Sequence, residues 1–289
     1  MDGFDLTRFG VVGAGLMGSG IAEVCARAGL DVVVGEVDAG RCGDAQRRIE
    51  QSLGRAASRG KITDEEHDSV LGRITYTTRL EDLADRQFVV EAVVENAEAK
   101  TSVFALLDKI IESDEAVIAS NTSSIPIMKL AMSTRRPESV IGLHFFNPVP
   151  VLKLVEVVPS LLTSPRTIEM TEHLAKDLLD KRVIMSQDRA GFVVNALLIP
   201  YLLSAIRMLE SGFATAADID TGMVEGCAHP MGPLALADLI GLDTTMAVAD
   251  SLYAEFKEPL FASPPLLSRM VEAGLLGRKT GRGFYEYQR

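Results

Sequence analysis

A histidine and a glutamate stand out in the stretch GLHFFNPVPVLKLVEV, residues 142–157. His144 heads two phenylalanines, an asparagine and a proline, and Glu156 follows twelve positions later inside the apolar run KLVEVV. Burying a carboxylate among valines without a partner costs several kcal/mol, roughly. A carboxylate bonded to one imidazole nitrogen fixes the tautomer and supports the charge when the other nitrogen takes a proton. His144 and Glu156 together would be a general acid/base pair. Taken singly, His144 reads as a satisfied core histidine, while a strand-edge carboxylate facing solvent is only the lesser reading of Glu156. His67 and His173 lie in charged helical stretches, where a solvated face explains them, and His229 lies in a turn-like segment.

A second group could hold a phosphate. GAGLMG places Gly13, Gly15 and Gly18 at G-x-G-x-x-G spacing, after a strand-like run and before a helical one. Glu36 ends the next strand-like run, about 20 residues on. Gly13 allows a tight turn, Gly15 lets the backbone approach a pyrophosphate, and Gly18 permits close packing of helix on sheet. The helix N-terminus supplies amide donors and partial positive charge. Glu36 would accept hydrogen bonds from an adenosine ribose diol and would repel a 2′-phosphate, so NAD is favoured over NADP. A plain βα turn and a solvated strand end are the simpler readings of the same residues. In SNTSS, residues 120–124, Ser123 or Ser124 could cap the following helix while the other meets substrate.

The elements that must position these groups follow from the hydrophobic pattern. Strands are predicted at 8–15, 31–36, 88–94, 116–120, 140–146, 154–159 and 182–187. Several lack polar alternation, as parallel strands buried on both faces do. Helical patterns separate the strands. The charged segment 38–72 reads as a solvent-exposed, protruding helical hairpin turning near Gly60. After residue 188 only helical patterns follow, punctuated by Gly and Pro. The predicted architecture is α/β, a Rossmann-like doubly wound sheet over residues 1–187, then an all-α domain over 188–289. His144 and SNTSS fall at carboxyl ends of strands, where such sheets present ligand residues.

Composition narrows the partners. The 289 residues are 47% hydrophobic with a formal net charge of −11. That charge argues against general nucleic-acid binding and against an anionic membrane surface. An anionic ligand would need a local basic patch or backbone amides. The three cysteines are widely spaced without a CxxC, which argues against disulfides and zinc and makes a reducing cytoplasm the expectation. The first element starts within ten residues, so no signal or transit peptide is expected. Residues 193–209 are long and apolar but contain Asn195, Pro200, Ser204 and Arg207, and fall short of the ~20 apolar residues of a membrane span. A buried helix is expected there, part of it at a subunit interface.

Together these pieces resemble the L-3-hydroxyacyl-CoA dehydrogenase family in its short, single-function form. GAGLMGSGIA, VVEAVVENAEAK, SNTSSIPI, GLHFFNPVPVLKLVEVV, DRAGFVVNALLIPYL, HPMGPLALADLIGLD and GRKTGRGFYEY look like that family's segments, in its order. The resemblance implies His144 as catalytic base, Glu156 as its orienting partner, and Ser123 and Asn195 as contacts of the substrate oxygens. It implies NAD held by Gly13, Gly15, Leu16, Met17, Gly18, Glu36 and Ala92. Glu95, Lys100 and Asn147 would line the nicotinamide-ribose region, and Lys279 would close over the cofactor. Ser52 would meet coenzyme A phosphates together with Arg59 or Lys61, since a family lysine is matched here by arginine. Met223, Pro230, Met231 and Leu242 would line the acyl pocket, with short chains expected. The partners implied are an acyl-CoA thioester and a second copy in a homodimer, with no nucleic acid and no membrane. A related dehydrogenase of a free hydroxy or sugar acid, and a non-catalytic NAD-binding scaffold, are the competing readings.

Overall fold

In the computed structural model, which describes residues 4–288, the β-branched runs pair into one sheet. Its strands are β1 (Arg8–Val12), β2 (Asp31–Gly35), β3 (Ile74–Thr77), β4 (Phe88–Glu91), β5 (Val117–Ser120), β6 (Val140–Phe145), β7 (Leu154–Pro159) and β8 (Arg182–Met185). They lie in the order β3-β2-β1-β4-β5-β6-β7-β8. Every neighbouring pair is parallel except β6 with β7. Strands β1, β4, β5 and β6 are buried almost throughout, which is why their sequences carry no polar alternation. The sheet contains one strand beyond those predicted. β3, with sequence ITYT, is an edge strand of mixed exposure, too short and too polar to stand out by pattern.

Helices α1 (Leu16–Arg27), α2 (Ala39–Ser58), α3 (Asp64–Gly72), α4 (Ala97–Ile110), α5 (Ile127–Ala131) and α6 (Pro165–His173) complete this first compact unit, which runs to Arg189. The predicted hairpin is α2 and α3, turning at Gly60 with φ +66°. Asp38 caps α2, and Thr63 with Glu66 forms a capping box on α3. The hairpin is less detached than its charge suggests. Ala45, Ile49 and Leu53 recur at helical spacing, are fully buried, and join the core that also holds Ile21 and Cys25 of α1.

The second unit begins at Ala190 and comprises α7 (Val194–Glu210), α8 (Ala216–Cys227), α9 (Pro233–Ile240), α10 (Leu242–Phe256) and α11 (Pro265–Glu272). The long run 233–256 is two helices because Gly241, at φ +102°, breaks it. In α7 the buried face is Ile199, Leu202, Leu203 and Ile206, while Leu197 is exposed. Leu242, expected to line an acyl pocket, is fully buried in the core of this unit.

Two buried carboxylates tie the C-terminal segment down. Asp238 accepts the amides of Phe284 and Tyr285, each at 3.0 Å, and the Tyr287 hydroxyl at 2.9 Å. Asp220 accepts the amides of Leu234 and Ala235 and the Tyr285 hydroxyl at 2.9 Å. The backbone passes so close that a Cβ at Gly277 or Gly283 would collide with Asp238. Burial pushes both tyrosine hydroxyls above the ordinary range, and the hydrogen bonds they give to Asp220 and Asp238 push the same way. A group whose folded pKa is raised contributes stability below its ordinary value, about 10 for tyrosine, and loses it as pH rises through the folded value. Thermal unfolding followed between pH 8 and 11 is expected to show Tm falling in the alkaline limb, with a shallower fall in Tyr285→Phe/Tyr287→Phe. An equally steep limb in the double variant would remove the tyrosines from this role.

Candidate active site

Because β7 runs antiparallel to β6, His144 and Glu156 are direct cross-strand partners and project on the same face. His144 Nδ1 lies 2.6 Å from Glu156 Oε2, with Glu156 fully buried and His144 nearly so. A carboxylate can only accept, so Nδ1 carries the proton and Nε2 is the basic nitrogen of the neutral ring. The Phe146 ring packs edge-on against the imidazole at 4.7 Å between centroids. The solvated-edge reading of Glu156 is excluded by its burial. The backbone around His144 is also held from the side. Asn121 Oδ1, at the end of β5, accepts the Phe145 amide at 2.9 Å.

The glycine turn follows β1, at the point where strand order reverses between β1 and β4. Gly13 has φ +84°, and a Cβ there would lie 2.9 Å from the Val93 backbone. A Cβ on Gly18 would lie 1.9 Å from the Gly13 carbonyl oxygen and 3.3 Å from Ala92 Cβ. Gly15, which caps α1, faces open space. The missing side chain there leaves room for a pyrophosphate against the helix amides, so the turn fits a dinucleotide. Leu16 is exposed beside it and Met17 half-buried. Glu36, half-buried at the end of β2, accepts the Ala14 amide at 2.6 Å, which places the predicted ribose acid against the same turn.

The remaining predicted residues fall into two sets. Glu95, Lys100, Ser123 and Asn147 lie with His144 on the first unit. Glu95 Oε1 collects the Thr122 hydroxyl at 2.6 Å, the Ser123 and Ser124 amides at 3.0 and 3.1 Å, and the Ser124 hydroxyl at 2.9 Å. The Ser123 hydroxyl stands off at 3.4 Å, the most weakly held of the group. Partial burial works to raise the Glu95 carboxyl, but the Lys100 ammonium and these hydrogen bonds hold it below the ordinary range. Lys100 is itself buried, 2.7 Å from Glu91 and 3.4 Å from Glu95. Asn147 is exposed, just after His144 and Phe146. Asn195 and Lys279 belong to the second unit, Asn195 in the first turn of α7, and Lys279 paired with both oxygens of Asp243 at 2.5 and 2.6 Å.

Neither Ser123 nor Ser124 caps α5, contrary to expectation. The helix starts at Ile127, after Pro126, and its Ile127 and Met128 amides go to the two oxygens of Asp188 at 2.7 Å each. Asp188 is remote in sequence, and its only signal was a carboxylate just past the last strand. On α2, Ser52 lies beside Glu23, whose carboxyl burial raises against the opposing pull of Ser52, Arg27 and Arg55. Arg59 caps the end of α2 and Lys61 follows Gly60, both exposed. Arg27 and Arg55 thus share the Glu23 carboxylate with Ser52, and the i,i+3 spacing of Ser52 and Arg55 was the available clue.

Two substitutions check this geometry. Gly18→Ala is expected to weaken NADH binding about tenfold or more in a fluorescence titration, because the turn must open to admit the methyl group. Unaltered affinity would show that the turn does not carry the cofactor. Asn121→Ala should cost about 1 kcal/mol of stability by urea titration while lowering kcat more than it changes the KM for NADH. A loss confined to KM would place Asn121 on cofactor binding instead.

Residues 8–189 match the family profile described as 3-hydroxyacyl-CoA dehydrogenase, NAD binding domain, and residues 191–287 match that of its C-terminal domain. The chain is 58% identical over 282 residues to a 3-hydroxybutyryl-CoA dehydrogenase of Mycobacterium tuberculosis, covering 98% of this chain and 99% of that one. It is 41% identical to the human mitochondrial hydroxyacyl-coenzyme A dehydrogenase, covering 96% of this chain and 90% of the other. Among solved structures, that of M. tuberculosis FadB2 aligns with TM-score 0.97 at 57% identity, over 98% of this chain and 99% of that one. The (S)-3-hydroxybutyryl-CoA dehydrogenase PaaH1 from Ralstonia eutropha aligns with TM-score 0.94 at 44% identity, over 99% and 100%. The chain therefore belongs to the 3-hydroxyacyl-CoA dehydrogenase family, with an NAD-binding domain followed by that family's C-terminal domain.

Proposed function

We propose that the chain interconverts (S)-3-hydroxyacyl-CoA and 3-oxoacyl-CoA thioesters with NAD, with 3-hydroxybutyryl-CoA and acetoacetyl-CoA as the pair. The observation that carries this reading is the buried 2.6 Å contact of His144 with Glu156, on the same sheet edge as a glycine turn shaped for a dinucleotide. The names of the relatives over nearly the full length support the substrate class.

In the oxidation direction, Nε2 of neutral His144 takes the proton of the substrate's 3-hydroxyl. NAD, held at the glycine turn, would supply the acceptor for the hydride that leaves C3. Glu156 stabilises the imidazolium through Nδ1–H and prevents the ring from turning to the other tautomer. In reduction, protonated His144 returns the proton to the ketone oxygen. A weakly held Ser123 hydroxyl suits a donor to that oxygen, with the Glu95 carboxylate fixing its loop. Asn195, on α7, would bond the neighbouring carbonyl. The full burial of Glu156 and near-full burial of His144 strengthen the electrostatics of the pair relative to water. Ser52 with Arg55, Arg59 or Lys61 supplies local positive charge for the coenzyme A phosphates, which a chain of net charge −11 otherwise lacks.

A homodimer and a cytoplasmic location belong to the same reading. Exposed Leu197 and Phe213 on the second unit support a covered apolar face there. The three unpaired cysteines support a reducing compartment. Among the described residues no helix is long and apolar enough to cross a membrane.

Absorbance of NADH with acetoacetyl-CoA, run beside free acetoacetate, tests the reaction. Oxidation with the thioester alone is the expected result, and oxidation with the free acid alone would move the chain to hydroxy-acid chemistry. His144→Ala and Glu156→Gln are each expected to lower kcat about 10²- to 10⁴-fold while NADH still binds. Turnover within twofold of the unaltered protein in either variant removes that residue from proton transfer.

A further inference from the structure

At the end of β4 lies a carboxylate that the reaction as described does not use. Glu91 has no solvent exposure, although it ends the strand on the edge where the cofactor and substrate residues gather. Its two oxygens receive donors from three elements. Oε1 accepts Lys100 Nζ from α4 at 2.7 Å and the Val93 amide at 2.7 Å. Oε2 accepts the Ser120 hydroxyl, directly opposite on β5, at 2.7 Å.

Each donor leads to a different part of the site. Val93 is the backbone against which the phosphate turn rests, at the distance that only glycine at position 13 permits. Lys100 continues to Glu95, which gathers the Thr122–Ser124 loop. Ser120 Oγ accepts the Thr122 amide at 3.2 Å, and the next residue, Asn121, holds the amide that follows His144. One ammonium suffices to balance the charge of a buried carboxylate. The two further hydrogen bonds fix its direction, and through it the direction of its donors.

We infer that Glu91 is a positioning residue that holds the phosphate turn, the Lys100 ammonium and the end of β5 in one register, so that cofactor affinity and turnover both depend on a group touching neither cofactor nor substrate. The inference rests on the NAD-binding role of the glycine turn and of Lys100, and not on the identity of the thioester. A purely structural ion pair would set the melting temperature and leave the binding and rate constants of the folded enzyme unaltered.

The test uses the full chain carrying Glu91→Gln, which keeps the side-chain volume and can still bond Ser120 but removes the nearer of the two carboxylates that face Lys100, leaving Glu95 at 3.4 Å. NADH affinity by fluorescence titration, kcat at saturating NADH and Tm are measured together. The expected result is a Kd for NADH raised about tenfold or more, with kcat falling by less than that factor. A Kd and kcat within twofold of the unaltered protein, whatever the Tm, overturn the inference. Ser120→Ala removes the β5 arm alone, in a change small enough to keep the fold. It should lower kcat about threefold or more with Kd for NADH unmoved. If Glu91→Gln does not fold, Ser120→Ala decides, and an unaltered kcat there overturns the inference. Should the unaltered protein not turn over acetoacetyl-CoA, the proposed function fails, while the NADH titration of Glu91→Gln still supports or overturns the role of Glu91.

Discussion

A carboxylate placed in the middle of a valine strand has to have its charge met where it lies, because neither water nor a rotamer change can reach it. Glu156 has no exposure and His144 stands directly across the strand pair, 2.6 Å away. That one contact constrains much of the surrounding structure. It is made by β7 reversing against β6 in the register that sets the third residue of β7 opposite the fifth of β6. It also fixes register, because a slip of one residue would turn Glu156 to the opposite face and part it from His144.

The same edge of the sheet gathers charge in a second layer. Glu36 follows β2, Glu91 ends β4 and Glu95 follows it, and each is occupied with amides, hydroxyls or an ammonium. These carboxylates convert loop ends, the most mobile parts of an α/β fold, into fixed points. Glu36 grips the glycine turn, Glu95 the serine loop and Asp188 the start of α5. A net acidic chain can bind an anionic cofactor because its own acids are spent on internal donors, while backbone amides and a few cations are left to face phosphates. The second unit repeats the device with Asp220 and Asp238, which fasten the C-terminal segment bearing Lys279.

Much of the site was legible in the chain itself. Glycine spacing is local, so the phosphate turn could be read from six residues together with a strand before and a helix after. The apolar runs likewise announced seven strands and the helical second unit. A glutamate among valines was conspicuous because burial of an unpaired charge is costly. Less legible were groups whose role is to answer a distant backbone. Asn121 and Asp188 look like ordinary polar residues near strand ends, and nothing nearby in sequence names the amides they serve. The short edge strand β3 was missed for a related reason. Half-exposed on the sheet margin, it needs little hydrophobic pattern to pair.

The sequence by itself determined which residues could do chemistry, the turn that suits a dinucleotide, and the order of the elements, because periodicity, glycine conformation and the cost of buried charge act over a few residues. Only the tertiary structure decided the partners. It set Glu156 against His144 by reversing one strand, gave the α5 amides to Asp188 instead of a serine, and drew the charged hairpin onto the core through Ala45, Ile49 and Leu53. Hydrogen-bond partners are chosen by which groups the packed sheet brings within about 3 Å, and that proximity is a property of the assembled layers.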